Sequence, residues 1–138
     1  MSEIKNIFDI SGRAMAAQMV RLNTVASNLA NAGTISGTKE EAFRALKPVF
    51  KTTYADQLKA SGVSTVDVLT IAEVKRAPEQ AFMPHHPSAD ANGFVYRAAV
   101  DENEEMVEMV EASRQYQNNV EVISTIRALM MRTINMGK

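Results

Sequence analysis

The feature that most constrains this chain is a seven-residue repeat in its last quarter. From about Asp101 to Asn135, the residues Met106, Met109, Ser113, Tyr116, Val120, Ile123, Arg127, Met130 and Ile134 fall alternately three and four apart. All but Ser113 and Arg127 are apolar, and a 3.5-residue stripe of that length predicts one long amphipathic helix. Asp101 is placed to cap its first turn, Glu104 to complete a capping box, and Glu102 and Glu105 to complement the helix dipole. Gly137 is a natural stop, with Arg127, Arg132 and Lys138 near that end. Such a helix runs about 50 Å, more than a small domain needs. It calls for a partner.

The other end of the chain repeats the pattern. Between about Ile4 and Ala32, the positions Ile4, Phe8, Ser11, Met15, Gln18, Leu22, Val25 and Leu29 keep the same spacing, with Ser11 and Gln18 as polar interruptions. Gly12 weakens the interior by about 1 kcal/mol relative to alanine, and Gly33 offers a stop. This stripe fits either the core of a bundle or a seam between subunits.

The centre differs in kind. All four prolines and six of the eight aromatics lie between Phe43 and Tyr96, and eight of the nine methionines lie outside. Gly33 to Glu41 reads as a polar connection. Phe43 to Lys51 reads as an extended segment, pushed towards a sheet edge by Pro48. Tyr54 to Ala60 is either a helical turn or a loop. From Val63, the series Val66, Val68, Ile71 and Val74 predicts a strand pair or one long irregular strand. Ala77 to Pro87 carries three prolines and cannot form a regular helix. Asp90-Ala91-Asn92-Gly93 is a turn, because Asn-Gly tolerates positive φ, and Phe94-Val95-Tyr96 is a short strand. The expected fold is therefore α+β: two long terminal helices, 1–32 and 101–138, packed as a coiled-coil-like pair around a small β-rich insertion, 33–100.

Charge and composition exclude several function classes. Fifteen basic residues balance sixteen acidic ones, so no whole-molecule field favours nucleic acid or an anionic membrane. No apolar run exceeds four residues, which excludes a membrane-spanning helix, and no apolar core of a secretory signal is visible. Cysteine is absent, which removes disulfides and thiolate chemistry. Asp101–Glu121 holds seven acids against Arg114, whereas Val122–Lys138 holds only Arg127, Arg132 and Lys138 as charges. These charges either complement dipoles on solvated faces or fix the register between helices of neighbouring subunits.

Chemistry is thinly represented. His85, His86 and Asp90 are the best metal-binding candidates, but adjacent histidines on an extended segment point to opposite sides. Ser113 and Ser124 have no histidine at helical spacing, and Gly33 and Gly37 lack the Lys-Ser/Thr of a phosphate loop. No cofactor and no catalytic residue is expected.

Two blocks carry a resemblance. The run Arg21 to Ala32, Arg-Leu-Asn-Thr-Val-Ala-Ser-Asn-Leu-Ala-Asn-Ala, resembles the N-terminal signature of the bacterial flagellar rod and hook proteins. His86 to Val95 and Glu105 to Asn119 are similar to the proximal-rod members of that family, which the short chain length also fits. Two positions depart from the family pattern: Ala98-Ala99 stand where Pro-Asn is expected before the last helix, and Asn118 stands where alanine is usual.

The resemblance implies a structural subunit of the flagellar basal body, exported unfolded through the flagellar type III apparatus without a cleaved signal. Its partners would be copies of itself, other proximal and distal rod subunits and the adaptor at the membrane ring, in the periplasmic space. Seam packing is assigned to Leu22, Val25, Leu29, Met106, Met109, Tyr116, Val120, Ile123, Met130 and Ile134. Contacts between subunits are assigned to the signature polar residues Asn28, Asn31, Ser113, Arg114 and Asn119. The alternative is a cytoplasmic scaffold or adaptor whose termini form a self-contained antiparallel coiled coil. A metal-dependent enzyme built on His85, His86 and Asp90 stands third.

Overall fold

The computed structural model describes residues 2–53 and 65–137, with side chains over 7–52 and 65–137. The element order is α1 (Ser2–Asn31), β1 (Ile35–Ser36), β2 (Leu46–Thr53), β3 (Thr65–Glu73), β4 (Glu79–Phe82), β5 (Phe94–Arg97) and α2 (Glu102–Met136). The undecided stretch Tyr54 to Ala60 lies outside the described residues.

Local chemistry sets the helix ends. The Asp101 side chain accepts hydrogen bonds from the Asn103 and Glu104 amides, so α2 starts where its cap residue dictates. The capping box is not completed, because Glu104 turns outward to Lys47 and Arg76. Gly137 caps the other end with its N–H on the Ile134 carbonyl. The start of α2 is fixed despite Ala98-Ala99. Ala98 N–H donates to Thr34, Ala99 N–H donates to Phe43, and the Ala99 carbonyl accepts from Ala45. Both alanines are buried, so backbone bonds do what a proline would otherwise do.

The strands form two antiparallel sheets. One is the hairpin β2–β3, in register from Leu46↔Glu73 to Thr53↔Thr65; the other has the order β1-β5-β4. The series from Val66 to Ile71 thus belongs to one strand. Within the hairpin, Val49 pairs with Thr70 and Phe50 with Val68, leaving Leu69 as the extra residue of a β-bulge. β1 and β4 were not expected. β1 has only two residues, and β4 sits among prolines, where its edge position demands fewer ladder bonds.

The predicted Asp-Ala-Asn-Gly turn is present. Asp90 Oδ1 accepts from the Asn92 and Phe94 amides at 2.8 and 2.9 Å, and Gly93 sits at φ +80°. A Cβ at Gly93 would lie 2.9 Å from Phe82 Cε2 and 3.1 Å from Pro84 Cβ. Gly93→Ala is therefore expected to cost about 1–3 kcal/mol through left-handed strain and overpacking. A thermal unfolding midpoint within error of the parent would contradict this.

One expectation needs correction. The chain is α+β, with a helix at each end and antiparallel sheets between, but the helices do not form the expected coiled-coil-like pair. They run antiparallel, as Asn28 on Glu105, Arg21 on Glu108 and Gln18 on Gln115 demonstrate. The fully buried residues described on the two helices are Ser11, Ala17, Thr24, Val25, Asn28, Glu105 and Ala112, all small or polar apart from Val25. Among the described residues, no apolar side chain larger than Val25 is fully buried on either helix. On α2 the covered line is Glu105, Met109, Ala112, Tyr116, Asn119, Ile123, Ile126 and Met130, all buried or half-buried. Half of the predicted stripe, Met109, Tyr116, Ile123 and Met130, is on it. The other half is displaced by one residue, leaving Met106, Val120 and Ile134 exposed.

Candidate assembly surface

Three elements converge on Asn28. Its side chain is fully buried, its Nδ2 donates to the Leu46 carbonyl at 2.8 Å and to Glu105 Oε2 at 3.0 Å, and its Oδ1 accepts the Leu46 N–H at 2.8 Å. The amide thus behaves as one more strand residue at the edge of β2 while holding the buried Glu105 carboxylate of α2. Asn28 was assigned to contacts between subunits; the structure spends its hydrogen-bonding capacity inside the chain. Asn31 likewise donates to the Ser27 carbonyl at 2.8 Å.

Ion pairs surround this junction. Arg21 Nε donates to Glu108 Oε2 at 2.9 Å, its Nη2 reaches the same oxygen, and Glu111 lies 3.7 Å away. Lys47 Nζ and Arg76 Nη2 approach the two Glu104 oxygens at 2.6 and 2.9 Å. The acidic half of α2 is therefore met by α1, β2 and the segment after β3 of the same chain.

The Lys47 hydrogen bond, followed by that of Arg76, holds the Glu104 carboxyl below its ordinary 4.5, and the same bond holds the Lys47 ammonium above 10.5. A depressed acid stabilises the fold above its unfolded value and loses that contribution as pH falls through the folded value. A raised lysine contributes up to 10.5 and loses it as pH rises further. The groups are more than a third exposed, so the contribution is tenths of a kcal/mol. The gap in urea midpoint between the parent and Glu104→Gln is expected to shrink as pH falls below 4.5. A gap independent of pH would contradict the clasp.

The large apolar side chains lie mostly outside this framework. Among the described residues the buried apolar ones are Ala17, Ala42, Ala45, Ala98, Ala99, Ala112, Val25 and Val95, six of them alanine. By contrast, α2 leaves Met106, Val107, Val110, Val120, Val122, Leu129, Met131, Ile134 and Met136 exposed. In its second half, Leu129 is 55% exposed, Ile134 58% and Met136 87%. These residues follow different lines. Val122, Leu129 and Met136 are each seven apart, Val120 and Met131 lie elsewhere, and Ile123, Ile126 and Met130 face the covered side. That half therefore carries apolar side chains well beyond its covered side, while Glu121, Ser124, Thr125, Arg132 and Asn135 make a separate polar face. Asn118, Glu121, Val122, Thr125 and Ile126 line a shallow groove there, so Asn118 is part of this open surface.

The assigned seam residues thus divide into two sets. Leu22, Val25, Asn28 and Leu29 with Met109, Tyr116, Asn119, Ile123 and Met130 are buried or half-buried within the chain, as is Ser113. Met106, Arg114, Val120 and Ile134 face outward. Sequence reasoning missed Glu105, Ala112 and Ile126 on the covered line, and Val122, Leu129, Met131 and Met136 outside it. Asp90 Oδ1 is committed to turn amides and His86 Nδ1 accepts from Ser88 N–H at 3.1 Å. Among the described residues no group of three His, Cys, Asp or Glu could hold a metal ion, and no helix is long and apolar enough to cross a membrane.

Known proteins are similar to this chain in sequence. Residues 8–34 match the family model described as flagella basal body rod protein, and residues 91–136 match that of the flagellar basal body rod FlgEFG protein C-terminal. The flagellar basal-body rod protein FlgC of Salmonella typhimurium is 42% identical over 134 residues, covering 96% of this chain and 97% of its own. The chain belongs to the FlgC family of flagellar basal-body rod proteins. FlgC of Escherichia coli O6:H1 is likewise 42% identical over 134 residues, and that of Aquifex aeolicus is 35% identical over the full length of both chains. The two matched regions coincide with α1 and with β5–α2, the elements that carry the junction and the open apolar surface.

Proposed function

We propose that this chain is a structural subunit of the flagellar basal-body rod that polymerises through its terminal helices into the proximal part of the drive shaft. Membership of a family of structural rod proteins gives the broad role, and no catalytic role is assigned. The observation that carries the helix-mediated assembly is the inversion of burial on α2. Among its described residues only Glu105 and Ala112 are fully buried, while Val122, Leu129, Met131, Ile134 and Met136 remain in water. Burying each of these is worth about 1.5–3 kcal/mol, an ample driving force for association.

In this reading residues 1–32 and 101–138 form the inner, helical layer and 33–100 the outer β-rich part. The partners are further rod subunits, copies of this chain among them, the adaptor at the membrane ring and the type III export apparatus, with the rod crossing the periplasm. Of the assigned contact residues, Met106, Arg114, Val120 and Ile134 are the ones positioned to meet neighbours directly.

Deleting the gene from its own bacterium is the test. The expected result is non-motile cells whose basal bodies stop short at the rod, with both defects reversed by the intact gene. Motile cells with complete basal bodies would overturn the assignment.

A further inference from the structure

The turn from Asp90 to Gly93 restrains a reaction that its own sequence invites. Of the nine asparagines in the chain, only Asn92 is followed by glycine. In such a pair the glycine backbone nitrogen, once hydroxide has taken its proton, attacks the asparagine Cγ with no Cβ in its way. The N–Cγ bond forms and the Cγ–Nδ2 bond breaks. The leaving nitrogen recovers a proton from water and departs as ammonia, and a five-membered succinimide remains. Water then opens the ring on either side, giving aspartate or a β-aspartyl linkage. Water and its hydroxide are the only co-reactants, and nothing is oxidised or reduced.

The folded turn opposes each requirement. Gly93 is buried, and its N–H donates to the Asp90 carbonyl at 3.0 Å, so solvent hydroxide does not reach that proton. The Gly93 carbonyl accepts from the Met83 N–H at 2.9 Å, which commits both sides of the residue. Asp90 Oδ1 holds the Asn92 N–H at 2.8 Å and the Phe94 N–H at 2.9 Å. Ring closure needs residue 92 to rotate between these bonds. Behind the turn Phe82 and Phe94 meet edge to face, ring centroids 5.3 Å apart, and close β4 on β5. Asn92 itself is exposed. The electrophile stands in water, and the nucleophile does not.

We propose that Asn92 is a site of self-deamidation that the Asp90 turn holds closed, so that its conversion marks time the chain has spent unfolded. The β-aspartyl product carries an extra methylene in the backbone between residues 92 and 93. That shift takes the Gly93 and Phe94 amides off their Asp90 acceptors, and a chain so converted closes this turn less stably. The site does not depend on the rod assignment, because it is a property of the free chain.

The purified chain is incubated at one pH and temperature, in buffer and in urea above its unfolding midpoint, and peptide mass spectrometry follows deamidation at each asparagine. Asn92 is expected to convert first in urea, and about tenfold or more slowly in buffer, because the closed turn must open before it reacts. Asp90→Ala removes the acceptor of two amides and is expected to raise the rate in buffer about three- to tenfold. Asp90→Asn keeps an Oδ1 and should stay near the parent, and all three proteins should react alike in urea. Should Asp90→Ala not fold, the parent's two rates and Asp90→Asn decide. Equal parent rates in buffer and urea would overturn the protection. Earlier conversion of any other asparagine in urea would overturn the site. A folded Asp90→Ala that reacts no faster than the parent, or an Asp90→Asn that reacts at its urea rate in buffer, would overturn the role of the turn. The β-aspartyl form, separated by chromatography and refolded, should melt below Asn92→Asp; equal midpoints would overturn the structural consequence.

Discussion

Asn28→Ala is expected to remove about 3 kcal/mol of stability, the largest loss from any single side-chain truncation in the chain. The substitution orphans three groups at once: the Leu46 N–H, the Leu46 carbonyl and the buried Glu105 carboxylate. Each unpartnered buried polar group costs about 1–3 kcal/mol, and a buried charge more, with partial relief from entering water. The urea midpoint should fall by more than about 1 M. Asn28→Asp should be worse near neutral pH, because it sets a second carboxylate against Glu105 and loses the donor to Leu46. A loss below about 0.5 kcal/mol for Asn28→Ala, the range of ordinary surface changes, would show that the junction does not hold α1, β2 and α2 together.

Leu129→Asp combined with Met131→Asp is expected to do the reverse: leave the free chain intact and abolish assembly. Both residues are more than half exposed, so the free protein's unfolding midpoint should move by less than about 0.5 kcal/mol equivalent. In a rod each aspartate would be taken out of water without a partner, at several kcal/mol apiece, and each site would lose its apolar burial as well. Motility and incorporation into basal bodies should disappear while the chain is still made and folds. Normal swimming would sink the claim that this half of α2 is enclosed. The two predictions separate folding from assembly, which a variant at Ile123 or Leu29 cannot do, since both are partly covered inside the chain.

What the sequence made legible was decided by short-range chemistry. Asp101 caps α2 as expected, because a cap needs only the two amides that follow it. Asp90 and Gly93 form their turn for the same reason. The helix pairing was harder. Apolar periodicity locates Met109, Tyr116, Ile123 and Met130, which lie on the covered line whichever neighbouring register is chosen. It favours Met106 and Val120 over Glu105 and Asn119, which are more covered within the chain, because a hydrophobicity count prefers methionine and valine to glutamate and asparagine. The available signal was size: a small residue can be covered completely where a large one cannot, and Ala17 and Ala112 are both buried.

Asn28 and Glu105 were hidden for a related reason. A polar residue on a helix is ordinarily surface, and only the bonds of Asn28 to both Leu46 and Glu105 reveal them as structural. The two-residue β1 and the edge strand β4 carry too little pattern to be read. The acidic cluster at the start of α2 left dipole complementation and register between subunits both open, and in the structure Arg21, Lys47 and Arg76 of the same chain meet it. Charge counts do not say which chain supplies the partner.

The most direct test of the central claim is amide hydrogen exchange over Asn118–Met136, measured on the free chain and on purified basal bodies. In the free chain this half of α2 has one covered side, and a helix without tertiary cover is marginal in water. Its amides should exchange far faster than those around Asn28, Leu46 and Glu105. In the basal body the same amides should become strongly protected, because neighbouring subunits enclose them. Strong protection already present in the monomer, unchanged on assembly, would contradict the account and favour a self-contained helical scaffold.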